Sequence, residues 1–250
     1  MPELMPSGAE QRSTIGGASS STPRFIMRRL FLAILVAVVE SSVSAAEYGH
    51  YDTSRLLIVS DTPAGKTFGF DGAYLEQMLD DLSVHAKNYP PKFDTPQDQQ
   101  RATQDVKALS GMLDILLNGP TSSPQLLARA AYVNSMGHNL DVPGAAEKAN
   151  AIFLRLLAAT PSDPQGNYRY GTFLAGVGKG REALPYLEKA LSVGVVDAAY
   201  AIGMTYLALG DQEQALKSLE DYKRRKPGDA SVDKLIDAIR HGQVQFKTAR

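Results

Sequence analysis

Apolar residues recur along most of the chain at three- and four-residue intervals. Over residues 72–88, Leu75, Met78, Leu79 and Leu82 share one face, and Pro90-Pro91 follows as a stop. That spacing predicts an amphipathic helix. Thr95-Pro96-Gln97-Asp98 then offers a capping residue and a proline at a helix start, and Ala102, Val106, Leu109, Leu113 and Leu116 continue the interval to Asn118. Near the end, Val232, Leu235, Ile236 and Ile239 oppose Asp233, Lys234, Asp237 and Arg240, with Gly242 as the stop. Residues 55–70, RLLIVSDTPAGKTFGF, break this rhythm. Their continuous apolar run before a Pro- and Gly-containing loop predicts extended structure, with a short β-hairpin pairing 55–60 with 67–70 and Gly65 and Lys66 as turn residues.

Between these ends the helical pattern repeats. Met136-Gly137-His138-Asn139-Leu140 aligns with Tyr170-Gly171-Thr172-Phe173-Leu174, 34 residues later, and with Ile202-Gly203-Met204-Thr205-Tyr206, a further 32 on. The same offsets align Ala149, Ala183 and Ala215, the large apolar Phe153, Leu187 and Leu219, and the turn glycines Gly144, Gly178 and Gly210. Pro161 and Pro227 close the first and third units. Glycine inside a helix costs about 1 kcal/mol against alanine, a cost offset where a second helix must approach closely. Gly137, Gly171 and Gly203 are therefore the expected packing points, with Ala149, Ala183 and Ala215 as the small residues brought to them. Ser123-Pro124 and Asp163-Pro164 read as N-caps followed by proline, and Asp197 and Asp211 as caps of the third unit's helices.

These residues carry a resemblance to the tetratricopeptide repeat (TPR), a helix-turn-helix unit of about 34 residues. The stretch AAYAIGMTYLALGDQEQALKSLEDYKRRKPGD is similar to the family pattern throughout. The resemblance implies an all-α solenoid of about three units, 130–161, 164–195 and 196–229, with 72–118 as an N-terminal helical cap. The helix within 230–250 covers the other end, as an array terminus requires. In the family, first helices of successive units line a groove for extended or helical peptides. Here that resemblance places Asn134, Tyr168 and Tyr200 at equivalent positions on the face, one turn before His138, Thr172 and Met204, with Arg169 beside Tyr168. Part of the family grips a terminal carboxylate with a Lys/Arg/Asn clamp. Only Asn134 and Arg169 match it, so that activity is not carried over.

Composition removes other chemistries. The chain lacks cysteine, which excludes disulfides, thiolate metal sites and a cysteine nucleophile, and its four histidines lie scattered. A net charge of −1 gives no basic surplus for nucleic acid. Gly65-Lys66-Thr67 after an apolar run resembles the start of a phosphate-binding loop. Ser60 replaces that motif's first glycine, however, and Pro63 removes a backbone donor. Asp80-Asp81 with His85 reads as a solvated helix face rather than a metal or acid–base site. The basic run Lys223-Arg224-Arg225-Lys226 suits a helix C-terminus without any anionic partner. No cofactor or metal is expected.

Residues 1–26 are polar and aperiodic. Met27-Arg28-Arg29, an apolar core over 30–39 and Ser44-Ala45-Ala46 follow as the three parts of a secretory leader, with Met27 the preferred start and cleavage after Ala46 or Ala45. The apolar core is shorter than the roughly 20 residues that span a bilayer. The expectation is a periplasmic, non-catalytic scaffold or adaptor of the bacterial envelope that docks a protein or peptide, with no membrane span after cleavage. Three alternatives remain: an uncleaved leader acting as anchor, an enzyme or nucleotide-binding module in 47–118 with the repeats as docking arm, and self-association into a homo-oligomer.

Overall fold

The computed structural model describes residues 32–35, 47–63, 65–118 and 123–248. Among them are nine α-helices: α1 Gly72–Ala86, α2 Pro96–Leu117, α3 Pro124–Asn139, α4 Ala145–Ala159, α5 Pro164–Gly176, α6 Gly180–Ser192, α7 Asp197–Ala208, α8 Gln212–Arg225 and α9 Ala230–Arg240. Strand β1 is Leu32–Leu35, β2 Leu57–Thr62, β3 Gly65–Phe70 and β4 Gln245–Thr248. The leader and its cleavage position otherwise lie outside the described residues. β1 pairs antiparallel with β4, so the tail after α9 carries a strand where the sequence pattern predicted none.

Most of the helix starts are capped by side chains. Asp71, Thr95, Ser123, Asp163, Asp211 and Asp229 each accept a hydrogen bond from a backbone N–H in the first turn of the helix that follows. Proline stands in the first turn after Thr95, Ser123 and Asp163, as the sequence predicts. Asp197 is the exception. Val196 holds the cap position, and Asp197 is the first helical residue, bonded to Lys226 at 3.1 Å.

The helices pack α3 on α4, α5 on α6 and α7 on α8, with α6 on α7, α2 on α3 and α8 on α9. The structure is an all-α helical solenoid. Its core runs continuously from Tyr48 through Leu109, Met136, Phe153 and Leu174 to Leu187 and Ile202, and a second apolar cluster holds Leu219 and Tyr222 under Val232, Leu235, Ile236 and Ile239 of α9. α9 thus covers the array's end as its pattern predicts.

The interior glycines lie where helices approach closely, and leucines take much of the space expected for alanines. A Cβ on Gly171 would lie 2.6 Å from Leu187 Cγ and 3.2 Å from the Ala183 carbonyl oxygen. At Gly203 the distances are 2.8 Å to Leu219 Cγ and 3.2 Å to the Ala215 carbonyl. The alanines contribute backbone proximity, and leucines fill the space. Gly137 instead faces Val106 Cγ1 at 3.0 Å and Ala145 Cβ at 3.2 Å, not Ala149.

The first unit also departs from the expected register. Gly178 and Gly210, with φ of 82° each, follow α5 and α7 in the left-handed conformation. The residues after them donate back to Leu174 and Tyr206 carbonyls at 2.8 and 2.9 Å. In the first unit that conformation falls on Asp141, φ 57°, and Val142 donates to the Gly137 carbonyl at 2.8 Å. Gly144, φ 76°, is instead the residue preceding α4. The turn is longer there, so aligning units on their glycines misplaces α3.

The hairpin forms, with a different turn. β2 and β3 pair from Leu57↔Phe70 to Thr62↔Gly65, which puts Gly65 and Lys66 in the strand and Pro63 in the turn. A 3-10 turn, Thr53–Leu56, takes the first two residues of the expected strand. Because Lys66 and Thr67 lie in β3, no helix N-terminus is aimed at a phosphate there.

Candidate functional site

α3, α5 and α7 lie side by side, each touching the next. Aligned on the left-handed residues Asp141, Gly178 and Gly210, the position of Gly171 and Gly203 is taken by Asn134, and that of Arg169 by Tyr132. The contacts follow this register. Asn134 is buried, donating to the Ala130 carbonyl at 2.8 Å and accepting from Ser110 Oγ at 2.8 Å. Ser110 is held in turn by Lys148 at 2.9 Å. Asn134 therefore ties α3 to α2 and offers no side chain to the face, contrary to the expectation from sequence.

The remaining expected residues share that face. Arg169 lies over the Tyr132 ring, its guanidinium carbon 4.1 Å from the centroid. Tyr200 is 37% exposed, and its ring packs 5.5 Å from that of Tyr222 in α8. Lys226 stands 5.6 Å from the same Tyr222 ring while bonded to Asp197. Tyr222 donates to Asp229 at 3.2 Å. Tyr168 feels both groups: after burial, Asp197, Tyr132 and Tyr222 raise its hydroxyl pKa and Lys226 lowers it. At the far end His138 meets Phe173 edge-on at 6.3 Å, and Thr172 is half-buried, its hydroxyl turned back onto the Arg169 carbonyl at 2.9 Å. Met204 packs into the apolar cluster beneath α9.

Burial raises the hydroxyl pKa of Tyr132, Tyr168 and Tyr200 above the ordinary phenol value. They remain neutral donors. Among the described residues, the Tyr168 and Tyr200 hydroxyls and the Arg169 guanidinium have no hydrogen-bond partner. The carboxylates near them are engaged: Asp197 by Lys226, and Asp229 by Tyr222 and Ser231. The face thus combines aromatic surface with uncommitted donors. Tyr132 and Tyr222 were not singled out from sequence, and Asp197 and Lys226 only as a helix cap and a helix-end cation. Tyr132 becomes legible once Asp141, rather than Gly144, is taken as the turn residue.

The other polar cluster belongs to the N-terminal cap. Tyr48 is fully buried and donates to Asp105 at 2.8 Å. Gly49 N–H and the Tyr51 hydroxyl both donate to Asp81 Oδ2, at 2.9 and 2.8 Å. His85, also buried, has Nδ1 2.9 Å from the Lys92 carbonyl and Nε2 3.5 Å from Asp81. Phe93 stacks on the His85 ring at 4.9 Å. Asp81 and His85 are consequently not a solvated helix face: they anchor the segment that precedes α1. Burial pushes the Asp105 carboxyl upward, against the opposing pull of the Tyr48 hydrogen bond and Arg101. The basic run likewise finds acids, with Lys223 on Asp233, Arg224 and Arg225 on Asp221, and Lys226 on Asp197. Among the described residues no three His, Asp or Glu side chains converge as a metal site, and no helix is long and apolar enough to cross a membrane.

No protein-family profile matches the chain, and no curated protein does. Solved structures do. The chain is similar to MamA at 17% identity and a TM-score of 0.50, over 61% of this chain and 86% of that one. It is similar to YrrB, described as a TPR protein with an unusual peptide-binding site, at 19% identity and a TM-score of 0.47, over 65% and 84% of the two chains. A third is TTC0263, a thermophilic TPR protein in Thermus thermophilus, at 14% identity and a TM-score of 0.49, over 68% and 92%. At such identities the likeness is one of fold.

Proposed function

We propose that the chain, an all-α solenoid of stacked helix pairs, is a non-catalytic adaptor of the tetratricopeptide repeat kind whose α3–α5–α7 face docks a protein or peptide. The observation that carries this reading is the set of unsatisfied donors on half-exposed aromatic residues and their neighbour, Tyr168, Tyr200 and Arg169. Tyr200 is exposed and Tyr168 and Arg169 are half-buried, so a docked partner can reach them, and tyrosine and arginine are the residues that most often dominate binding energy. The sequence pattern of residues 27–46 supports a second element of the proposal: delivery across a membrane, with docking in the bacterial envelope.

The docking role is tested with a photo-crosslinking residue in place of Thr172, which lies on the face with its own hydroxyl satisfied internally. A crosslinked partner that disappears in the Tyr168→Ala, Tyr200→Ala double variant, with helical circular dichroism retained, is the expected result. Equal crosslinking by the double variant overturns the assignment of the face. Export is tested by cell fractionation with N-terminal sequencing. A product beginning at Glu47 or Ala46 outside the cytoplasm is expected, and an intact cytoplasmic chain overturns it.

A further inference from the structure

We propose that the open edge of β2 pairs antiparallel with the same edge of a second copy of the chain, about a two-fold axis at Val59, joining two hairpins into one four-stranded sheet. This surface is separate from the α3–α5–α7 face, so self-pairing and docking stand or fall independently.

The hairpin is a sheet with no layer beneath it. Every residue of β2 is exposed, and among the described residues its extensive contacts run to β3 and the 3-10 turn rather than to a helix. Phe70, at the base of β3, packs against the helical core. A lone two-stranded hairpin is marginal in water, and further strands or a covering helix are what stabilise one. Edge strands are ordinarily blunted by lysine, proline or a bulge. Leu57-Ile58-Val59-Ser60 contains no lysine or proline, and its pairing with β3 runs without interruption.

The ladder fixes which backbone groups the open edge offers. Asp71 N–H donates to the Leu56 carbonyl at 2.9 Å. Bonded and non-bonded pairs alternate along an antiparallel ladder. Ile58, Ser60 and Thr62 therefore turn their backbone groups to β3, and Leu57, Val59 and Asp61 turn theirs outward. The Leu57 N–H is taken by the Ser54 carbonyl. The open edge thus presents the N–H groups of Val59 and Asp61 and the carbonyls of all three residues. Among the described residues, β3 alone pairs with β2.

A second copy of that edge matches it. With Val59 of one copy opposite Val59 of the other, the two valines exchange both backbone bonds. Each Asp61 N–H then meets the other copy's Leu57 carbonyl, and the missing Leu57 donor is not needed for that bond. Charge agrees with this register. Residues 57–70 carry no charges besides Asp61 and Lys66, which lie opposite each other in the ladder, so two hairpins meet without net repulsion. An axis at Ser60 would set the two Asp61 side chains on diagonal positions, where like charges oppose pairing. An axis at Ile58 would leave Asp61 opposite Arg55, which lies in the 3-10 turn outside the strand. The axis at Val59 keeps the two Asp61 residues four positions apart along the strands, about 13 Å. The contact is isologous and closes on itself, as a two-fold dimer requires.

The test is sedimentation velocity on the mature protein between about 10 μM and about 1 mM, a range suited to a contact this small. A dimer that grows with concentration is expected, and replacing residues 58–69 by a short turn should abolish it. Val59→Lys sets like charges directly opposite at the axis and should weaken the dimer about fivefold, as should Val59→Glu. An equal mixture of the two variants should restore it, because lysine then faces glutamate. Helical circular dichroism should stay unchanged, since the Val59 side chain is exposed and its backbone groups point away from β3. A chain monomeric across the whole range overturns the proposal. So does a dimer undiminished in both single variants, which would place self-association on another surface. A mixture that dimerises no better than either variant alone overturns it equally, because a foreign strand or a lipid surface on this edge gives no preference for unlike copies.

Discussion

Tyr48 shows how a single residue outside the repeats holds one end of the molecule together. Its ring fills space against Tyr51, His85 and Phe93, its hydroxyl reaches Asp105 of α2, and its carbonyl accepts from Arg101 at 3.0 Å. Burial foremost, then the negative Asp105, pushes its hydroxyl pKa well above the usual 10.0, and Tyr51 moves the same way through burial and Asp81. The sign follows directly. The unfolded chain releases these protons near pH 10, and the folded chain holds them, so stability is complete below that pH and falls as pH rises beyond it. Tyr48→Phe should flatten this alkaline loss, read as melting temperature across a pH series through about 10. Glycines give a second residue-level contrast. Gly171→Ala should destabilise by about 1–3 kcal/mol from overpacking against Leu187 and the Ala183 carbonyl, more than alanine's helix preference of about 1 kcal/mol returns. Gly111→Ala, exposed in α2 with nothing within 4 Å of the added methyl, should stabilise by about 1 kcal/mol. Urea midpoints check both. The interior glycines were legible in sequence because only a helix neighbour rationalises them. Tyr48 was not, because one tyrosine in a short polar stretch carries no period, and its partners Asp81 and Asp105 are distant in sequence.

At the level of elements, helix existence and capping were readable while phase was not. The pairs Ser123-Pro124 and Asp163-Pro164 place the starts of α3 and α5 to the residue. The first unit slipped because Asp141 does at φ 57° what glycine does elsewhere, and aspartate is among the few residues that tolerate that conformation. Its longer turn moved Asn134 from the face into the α2–α3 contact and hid Tyr132. The hairpin was visible as a non-helical run, but its turn was not, since the apolar residues do not alternate. Leu57, Ile58 and Val59 are 53%, 45% and 48% exposed, so neither strand face is fixed by burial. The chain leaves and re-enters the helical body at nearly one point, the Leu56 carbonyl accepting from Asp71 N–H at 2.9 Å. Replacing residues 58–69 by a short turn should therefore leave the helical signal and melting temperature unchanged. A large drop in either would show that the hairpin supports α1.

For the whole molecule, the decisive fact is that, among the described residues, the extensive helix contacts run between helix pairs adjacent in sequence order. Such arrays need closed ends. α9 closes one by burying Val232, Leu235, Ile236 and Ile239 over α8. Ending the chain at Asp229 should uncover that surface, lower the melting temperature and promote aggregation with rising protein concentration, measurable by light scattering. The same connectivity has a mechanical consequence. A chain of nearest-neighbour couplings can open from either terminus one unit at a time, like a zipper. A guest laid across α3, α5 and α7 ties the first unit directly to the third, so an occupied array would open in one concerted step while an empty one frays.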